Sequence, residues 1–306
     1  MKVACIGAMH LDVKARLTGE AQGGTSNPAR TLRTPGGVAG NVARNLGRLG
    51  LPVTLFSVVG DDAAGHSLLG ELHAASVDTS GVRHSPGPPT ASYLAVLDRE
   101  GRLLVAAADM EVYEVLDTAW ADRVGGTLSS FDAWVLDANL PGTTIARLLR
   151  YAGRTLLVAD PVSVPKASRL APALPRLDVI FPDRAEALAL AGMSTEADSS
   201  VVTAAAAIRR AGVRRVVVSL GAGGVYVDDG VAAQQVPPLA PRSMVDVTGA
   251  GDAQIAGYLY GLSREGSGPA PIHWAMAAAS LTLETIDSAR ADLTPALLAD
   301  RVAGRR

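Results

Sequence analysis

One cysteine in 306 residues cannot form an intrachain disulfide or a thiolate metal cluster. That residue, Cys5, sits in an apolar strand-like run, where a small buried side chain is expected, and such cysteine usage fits a reducing cytoplasm. An excess of one charge is also missing. The 28 basic and 30 acidic side chains leave −2, which indicates neither a nucleic-acid-binding surface nor an acidic tail. No apolar run reaches membrane-spanning length. The opening Met1-Lys2-Val3-Ala4-Cys5-Ile6-Gly7-Ala8 leads into a strand without the apolar stretch and cleavage site of a secretion signal. Internal repeats and low-complexity linkers are absent too. What remains is a globular chain with a small-molecule partner, and 48% hydrophobic content is ample for its core.

Among the residues present, Asp246-Val247-Thr248-Gly249-Ala250-Gly251-Asp252 carries the most chemistry. Gly249 and Gly251 let successive backbone N–H groups turn toward one point, and Ile255, Tyr258, Leu259 and Leu262 follow at helical spacing. The loop therefore opens a helix, whose N-terminus suits an anion, with the Asp252 carboxylate at its mouth. Phosphoryl transfer follows from that pairing: amides neutralise charge on the moving phosphate while Asp252 takes a proton from the attacking hydroxyl. A helix cap and a plain glycine turn would leave the same pattern.

Taken in order, Val3 to Ile6 reads as a buried strand, and Asp12 beyond it stands where sugar hydroxyls could be held or where a loop carboxylate is simply solvated. Residues 13–35 are polar and small, like a flap or short edge strands. Pro35-Gly36-Gly37-Val38-Ala39-Gly40-Asn41 is a second glycine-rich turn, continued as a helix by Val42, Leu46 and Leu49; Gly36 and Gly37 allow a ligand close to the backbone and Asn41 offers a donor and an acceptor. Val53 to Val59 is the next strand. Residues 90–108 read as a hairpin turning at Arg99-Glu100-Gly101, a candidate lid. From Trp134 onward strands at 134–137, 156–159, 179–181 and 216–220 alternate with helices at about 143–151, 184–191 and 201–211. Gly266-Ser267-Gly268-Pro269 reads as a loop before a last long helix at about 272–285. This predicts one α/β domain over 1–306, with a mostly parallel sheet between two helix layers and the loops at the strand ends converging with both glycine turns.

The paired signatures Gly36-Gly37-Val38-Ala39-Gly40-Asn41-Val42-Ala43 and Asp246 to Asp252 resemble those of the ribokinase-like, or PfkB, carbohydrate kinases, and Gly60-Asp61-Asp62-Ala63-Ala64-Gly65 and Gly81-Val82 match between them. The resemblance implies a ribokinase-like three-layer sandwich with a small β lid, and transfer of the ATP γ-phosphate to a sugar hydroxyl. Asp252 would then be the base, Gly249, Ala250 and Gly251 the anion hole, and Asp12, Gly36, Gly37 and Asn41 the sugar site. It also implies magnesium held through water by Glu186 and Asp183, the latter standing where the motif has Asn, as His10 does in the sugar site. Ser219, Gly221, Gly224 and Thr248 would line the nucleotide, and Asp246 and Thr248 would hold a monovalent cation, potassium. Asp160-Pro161-Val162-Ser163-Val164-Pro165-Lys166-Ala167, residues 89–98, Ala108-Asp109-Met110 and Asp137-Ala138-Asn139-Leu140 resemble the pseudouridine kinase branch. In that reading Asn139 and Lys166 contact the base or ribose. Ribose, adenosine or a hexose as acceptor, and a non-catalytic sugar- or nucleotide-binding regulator, are the alternatives. Relatives also imply a homodimer through the lid.

Overall fold

A computed structural model describes residues 1–194, 200–264 and 269–305. Its strands are β1 (Val3–Ile6), β2 (His10–Leu17), β3 (Ala29–Gly36), β4 (Val53–Gly60), β5 (Asp78–Ser85), β6 (Ser92–Leu97), β7 (Leu103–Asp109), β8 (Ala133–Asp137), β9 (Leu156–Asp160), β10 (Val179–Ile180), β11 (Val216–Ser219), β12 (Val225–Asp228) and β13 (Ala233–Val236). The helices are α1 (Val38–Arg48), α2 (Ala63–Ala74), α3 (Thr118–Leu128), α4 (Gly142–Leu148), α5 (Val164–Ala167), α6 (Arg184–Leu190), α7 (Val201–Arg210), α8 (Ala250–Leu262), α9 (Pro271–Thr282) and α10 (Pro295–Val302).

Nine strands form the central sheet in the order β13-β12-β11-β10-β9-β8-β1-β4-β5. The pairings from β11 to β5 are parallel, and the two at the β12–β13 edge are antiparallel. Alternation along β1 sends Ala4 and Ile6 to one core, with Trp134, Trp120 of α3 and Ile145 of α4. Val3 and Cys5 face the other, with Leu46 of α1, Ile255 of α8 and Trp274 of α9. Both faces are thus covered, as apolar parallel strands require. Cys5 is fully buried, which pushes its thiol pKa up.

A separate four-stranded sheet, ordered β3-β2-β6-β7, carries the segments expected at 13–35 and 90–108. Its strands begin earlier and run longer than the flap reading allowed, because β2 pairs with β3 from His10↔Gly36 to Leu17↔Ala29 and with β6 in parallel. The hairpin turn at 98–102 is closed by Asp98, whose carboxylate accepts the Glu100 and Arg102 amides.

Several elements differ from the sequence reading. Strand β5 and helix α3 were not anticipated: β5 is largely polar, and α3 contains Gly125 and Gly126, which dilute its apolar period. The β12–β13 edge was missed for want of a strong apolar run. Helix α9 ends at Thr282, short of 285, and α10 follows it. Of the loop read at 266–269, residues 266–268 lie outside the described residues.

Candidate active site

The carboxyl ends of the parallel strands bring together segments far apart in sequence. Asp137, the last residue of β8, is fully buried and ties three of them. One carboxylate oxygen accepts the amides of Ala8 (2.8 Å) and Ala39 (3.0 Å), and the other accepts that of Asn139 (2.9 Å). Burial raises its pKa against those three bonds. At the start of α1, Gly37 adopts φ 91 and a Cβ there would run into the Ala8 carbonyl, so the turn requires glycine. Next to it, a Cβ on Gly36 would collide with the Asp12 carboxylate, which also lies 3.2 Å from His10 Nε2. Asp12, Gly36, Gly37 and Asn41 thus share one wall of the crevice.

Asp252 lies in the first turn of α8 and Gly249 is the N-cap, so the carboxylate is not the cap itself. It is buried, and its Oδ2 accepts a 2.7 Å hydrogen bond from Asn41 Nδ2, which joins the two glycine-rich turns directly. Behind Asn41 stands Arg44, one helical turn further along α1. Its guanidinium donates to Asn41 Oδ1 at 2.6 Å and to Ser288 Oγ at 3.1 Å. With a cation on Oδ1, the amide presents Nδ2 to Asp252. Burial pushes the Asp252 pKa up to about 7; the Asn41 bond and the Arg44 charge oppose this, while the Asp137 and Asp12 carboxylates add to it. The result is a carboxylate poised near neutrality with one fixed hydrogen bond, the condition of a general base. Gly251 is exposed beside it, and a Cβ there would meet nothing within 4 Å.

Further along the sheet, Asp183 and Glu186 form a capping box on α6: Asp183 Oδ1 accepts the Glu186 amide and Glu186 Oε2 the Asp183 amide, both at 2.8 Å. Burial pushes Glu186 up to about 7. Asp160, at the end of β9, is raised well above the usual carboxylate range by burial, then by Asp252 and Glu186. Asp160 and Glu186 are buried and Asp183 is exposed; these hard oxygen donors, short of positive charge, suit magnesium held through water, while no three acidic, histidine or cysteine side chains among the described residues cluster so as to ligate a metal directly. Alongside is a cleft of about 540 Å³ lined by Asp183, Arg184, Leu188, Ser219, Leu220 and Gly221. Ser219 Oγ bonds Gln254 Oε1 at 2.9 Å, tying this cleft to α8. Gly224 begins the turn into β12, and a Cβ there would overlap the Val236 carbonyl.

On the opposite flank, Lys166 of α5 donates to Asn139 Oδ1 at 2.6 Å, and Asn139 Nδ2, buried, makes no well-aligned hydrogen bond among the described residues, although the side chain interacts with the Asp137 carboxylate. Asp246 and Thr248 meet Lys14 of the small sheet. A second cleft of about 380 Å³, between β5 and α3, is lined by Lys2, Phe56, Trp120 and Phe131 among others and contains none of the residues predicted for the site. Sequence reasoning missed Arg44 and Lys14 as parts of the site; it placed the loops of Asp137 and Asp160 at the crevice but gave neither carboxylate a role. Arg44 left a signal, a cation three residues after Asn41 within a buried helix face, and Asp137 and Asp160 another, acids ending apolar strands; Lys14 left none.

Over residues 1–294 the chain matches the family described as pfkB family carbohydrate kinase. It is 33% identical over 257 residues to pseudouridine kinase of Escherichia coli (strain K12), covering 83% of this chain and 82% of that protein. Its structure resembles a carbohydrate kinase from Agrobacterium tumefaciens, with TM-score 0.85 and 30% identity over 99% of this chain and 97% of the other. It also resembles Arabidopsis thaliana ribokinase complexed with ribose and ATP, with TM-score 0.86 and 20% identity over 98% of each chain. A buried carboxylate at a glycine-opened helix start, facing a second glycine turn across a ribokinase-like sheet, agrees with these matches: the chain belongs to the pfkB family of carbohydrate kinases, phosphotransferases that act on a hydroxyl group.

Proposed function

We propose that the acceptor is the 5′-hydroxyl of pseudouridine and the donor ATP, giving pseudouridine 5′-phosphate and ADP. One observation carries this choice within the sugar and nucleoside kinases. Asn139 is held by Lys166 on its oxygen, and its buried N–H donor makes no well-aligned hydrogen bond among the described residues, being in reach only of the Asp137 carboxylate, which already accepts three backbone amides. An unsatisfied buried donor costs roughly 1–3 kcal/mol, which a ligand carbonyl would recover. The uracil ring offers such carbonyls at its edge, and the identity to a pseudouridine kinase supports the same acceptor.

In this reading ionised Asp252 takes the proton of the 5′-hydroxyl. The freed oxygen bonds the γ-phosphorus while the bond from that phosphorus to the β–γ bridging oxygen breaks and ADP leaves. The amides of Gly251 and Asp252 at the start of α8, beyond the Gly249 cap, would stabilise the developing charge, with the Ala250 amide bonded at 3.3 Å to the Val247 carbonyl. Asp12, Gly36, Gly37 and Asn41 hold the ribose side, and Ser219, Gly221, Gly224 and Thr248 the nucleotide side. Asp183 and Glu186 would hold hydrated magnesium, which supplies positive charge to the phosphates. The small sheet serves as a lid that keeps water from the phosphate. Its edge strand β7 exposes Leu103, Leu104 and Val105, and a second copy of the lid is the partner we assign to it.

A coupled ADP-release assay across pseudouridine, uridine, adenosine, ribose and a hexose tests the assignment. Pseudouridine is expected to give the highest kcat/KM by about tenfold or more, the scale of one satisfied buried hydrogen bond. A silent pseudouridine reaction beside an active ribose one would assign the sugar alternative, and no transfer to any acceptor in a single turnover would leave the binding-regulator reading.

A further inference from the structure

The two residues that the family resemblance assigns to potassium already hold a cation belonging to the chain. Lys14 Nζ lies 3.1 Å from Asp246 Oδ2 and 3.2 Å from Thr248 Oγ1. Lys14 follows Asp12 by two residues on β2, so both side chains leave the same face of the small sheet. Asp246 uses its other oxygen, Oδ1, to accept the amide of Thr248 at 2.9 Å and its hydroxyl at 2.8 Å. The carboxylate therefore closes a turn with one oxygen and takes the ammonium with the other. Thr248 immediately precedes Gly249, the residue that sets where the amides of α8 begin.

A lysine ammonium is a compact point charge with three donors, close in character to a small monovalent ion. Being tethered, it meets Asp246 at an effective concentration that a free ion in millimolar amounts does not match. The Lys14 and Asp246 side chains are 26% and 27% exposed, so the pair is only partly screened by water. Potassium bound at these oxygens would have to displace an ammonium already in hydrogen-bond contact, and the residues present do not fit it.

We propose that Lys14 is the built-in monovalent cation of this kinase: it fixes the Asp246–Thr248 turn, and through it the amide cradle of α8, and couples both to the small sheet over the acceptor, so that turnover does not require potassium. Lys14 is a positioning residue, and the inference rests on the kinase reading but not on the identity of the acceptor.

The test compares wild-type protein with Lys14→Met and Lys14→Arg. ADP release is measured with whichever acceptor the screen selects, in buffer whose only added cations are magnesium and tetramethylammonium, and then with potassium or ammonium added. Thermal midpoints are taken with ATP and magnesium and no acceptor. Wild type is expected to show the same kcat and the same midpoint with potassium as with tetramethylammonium. Lys14→Met should lose about tenfold or more in kcat, with a smaller change in KM for the acceptor, the pattern of a lost transition-state interaction. Potassium or ammonium should restore part of that loss and raise the midpoint of Lys14→Met alone, while Lys14→Arg retains more activity without them. Activation of wild type by potassium of several-fold would overturn the proposal, as would a Lys14→Met enzyme with wild-type kcat in alkali-free buffer, or one whose loss neither ion restores. Because the midpoints need no acceptor, failure of the pseudouridine assignment leaves this test intact, whereas an ATP-independent midpoint in wild type would count against the kinase reading itself.

Discussion

Asp252 joins deep burial to a hydrogen bond from Asn41, the one its carboxylate accepts among the described residues, and its behaviour with pH follows from both. The carboxylate must be ionised to accept a proton, so kcat/KM is predicted to rise with pH through an apparent value of about 7. The same group works against folding at high pH. Its pKa rises from 3.8 to about 7 in the fold, so its contribution is most favourable below the lower value and is lost as pH rises through the upper one. Asp252→Asn is predicted to abolish turnover, by about a thousandfold or more, while ATP still binds. At pH 8 it should also unfold at a higher temperature than wild type, by an amount worth roughly 1–3 kcal/mol that vanishes near pH 4; calorimetry at the two pH values checks it. Arg44 acts through Asn41. Arg44→Met should lower kcat about tenfold and move the kcat/KM profile to higher pH, since the Arg44 charge helps hold Asp252 down. A loss of activity with an unmoved profile would make Arg44 merely structural.

At the scale of elements, the start of α8 separates what folding needs from what chemistry needs. Gly249 has φ 81, and a Cβ there would overlap the Ser288 carbonyl, so Gly249→Ala should cost about 1–3 kcal/mol and shift the helix start. Gly251 lies inside the helix with open space on its Cβ side, so Gly251→Ala should leave the thermal midpoint unchanged or raise it slightly, yet place a methyl group where the phosphate is expected and lose activity. Thermal unfolding and ADP release on the two variants test the distinction. Among the legible strands, β1, β4 and β8 read as apolar runs, interrupted only by Thr54 and Ser57 in β4 and closed by Asp137 in β8, because each lies between two helix layers. Strand β5 pairs with the sheet through its backbone but exposes Asp78, Ser80, His84 and other polar side chains, so periodicity is silent there. Glycine turns and strand-end acids announce a crevice through local chemistry, and Arg44 is half legible through Asn41 three residues before it, whereas Asp246, the partner of Lys14, and Ser288, the second partner of Arg44, lie more than two hundred residues away and leave no trace in spacing.

For the molecule as a whole, the small sheet ends in two edge strands among the described residues, β3 and β7, and the β7 edge is the more apolar. Leu103, Leu104 and Val105 of β7 are 57%, 48% and 60% exposed on that edge, an aggregation-prone arrangement unless a second chain covers it. The wild-type protein is predicted to sediment as a dimer and Val105→Lys as a monomer, which ultracentrifugation at matched concentrations decides. Asn41 and Asp252 touch although 211 positions separate them, so during synthesis the proposed acceptor wall emerges from the ribosome long before the proposed base. A nascent chain can close the early glycine turn and still be chemically inert; nucleotide cannot be spent until α8 has emerged and docked against α1.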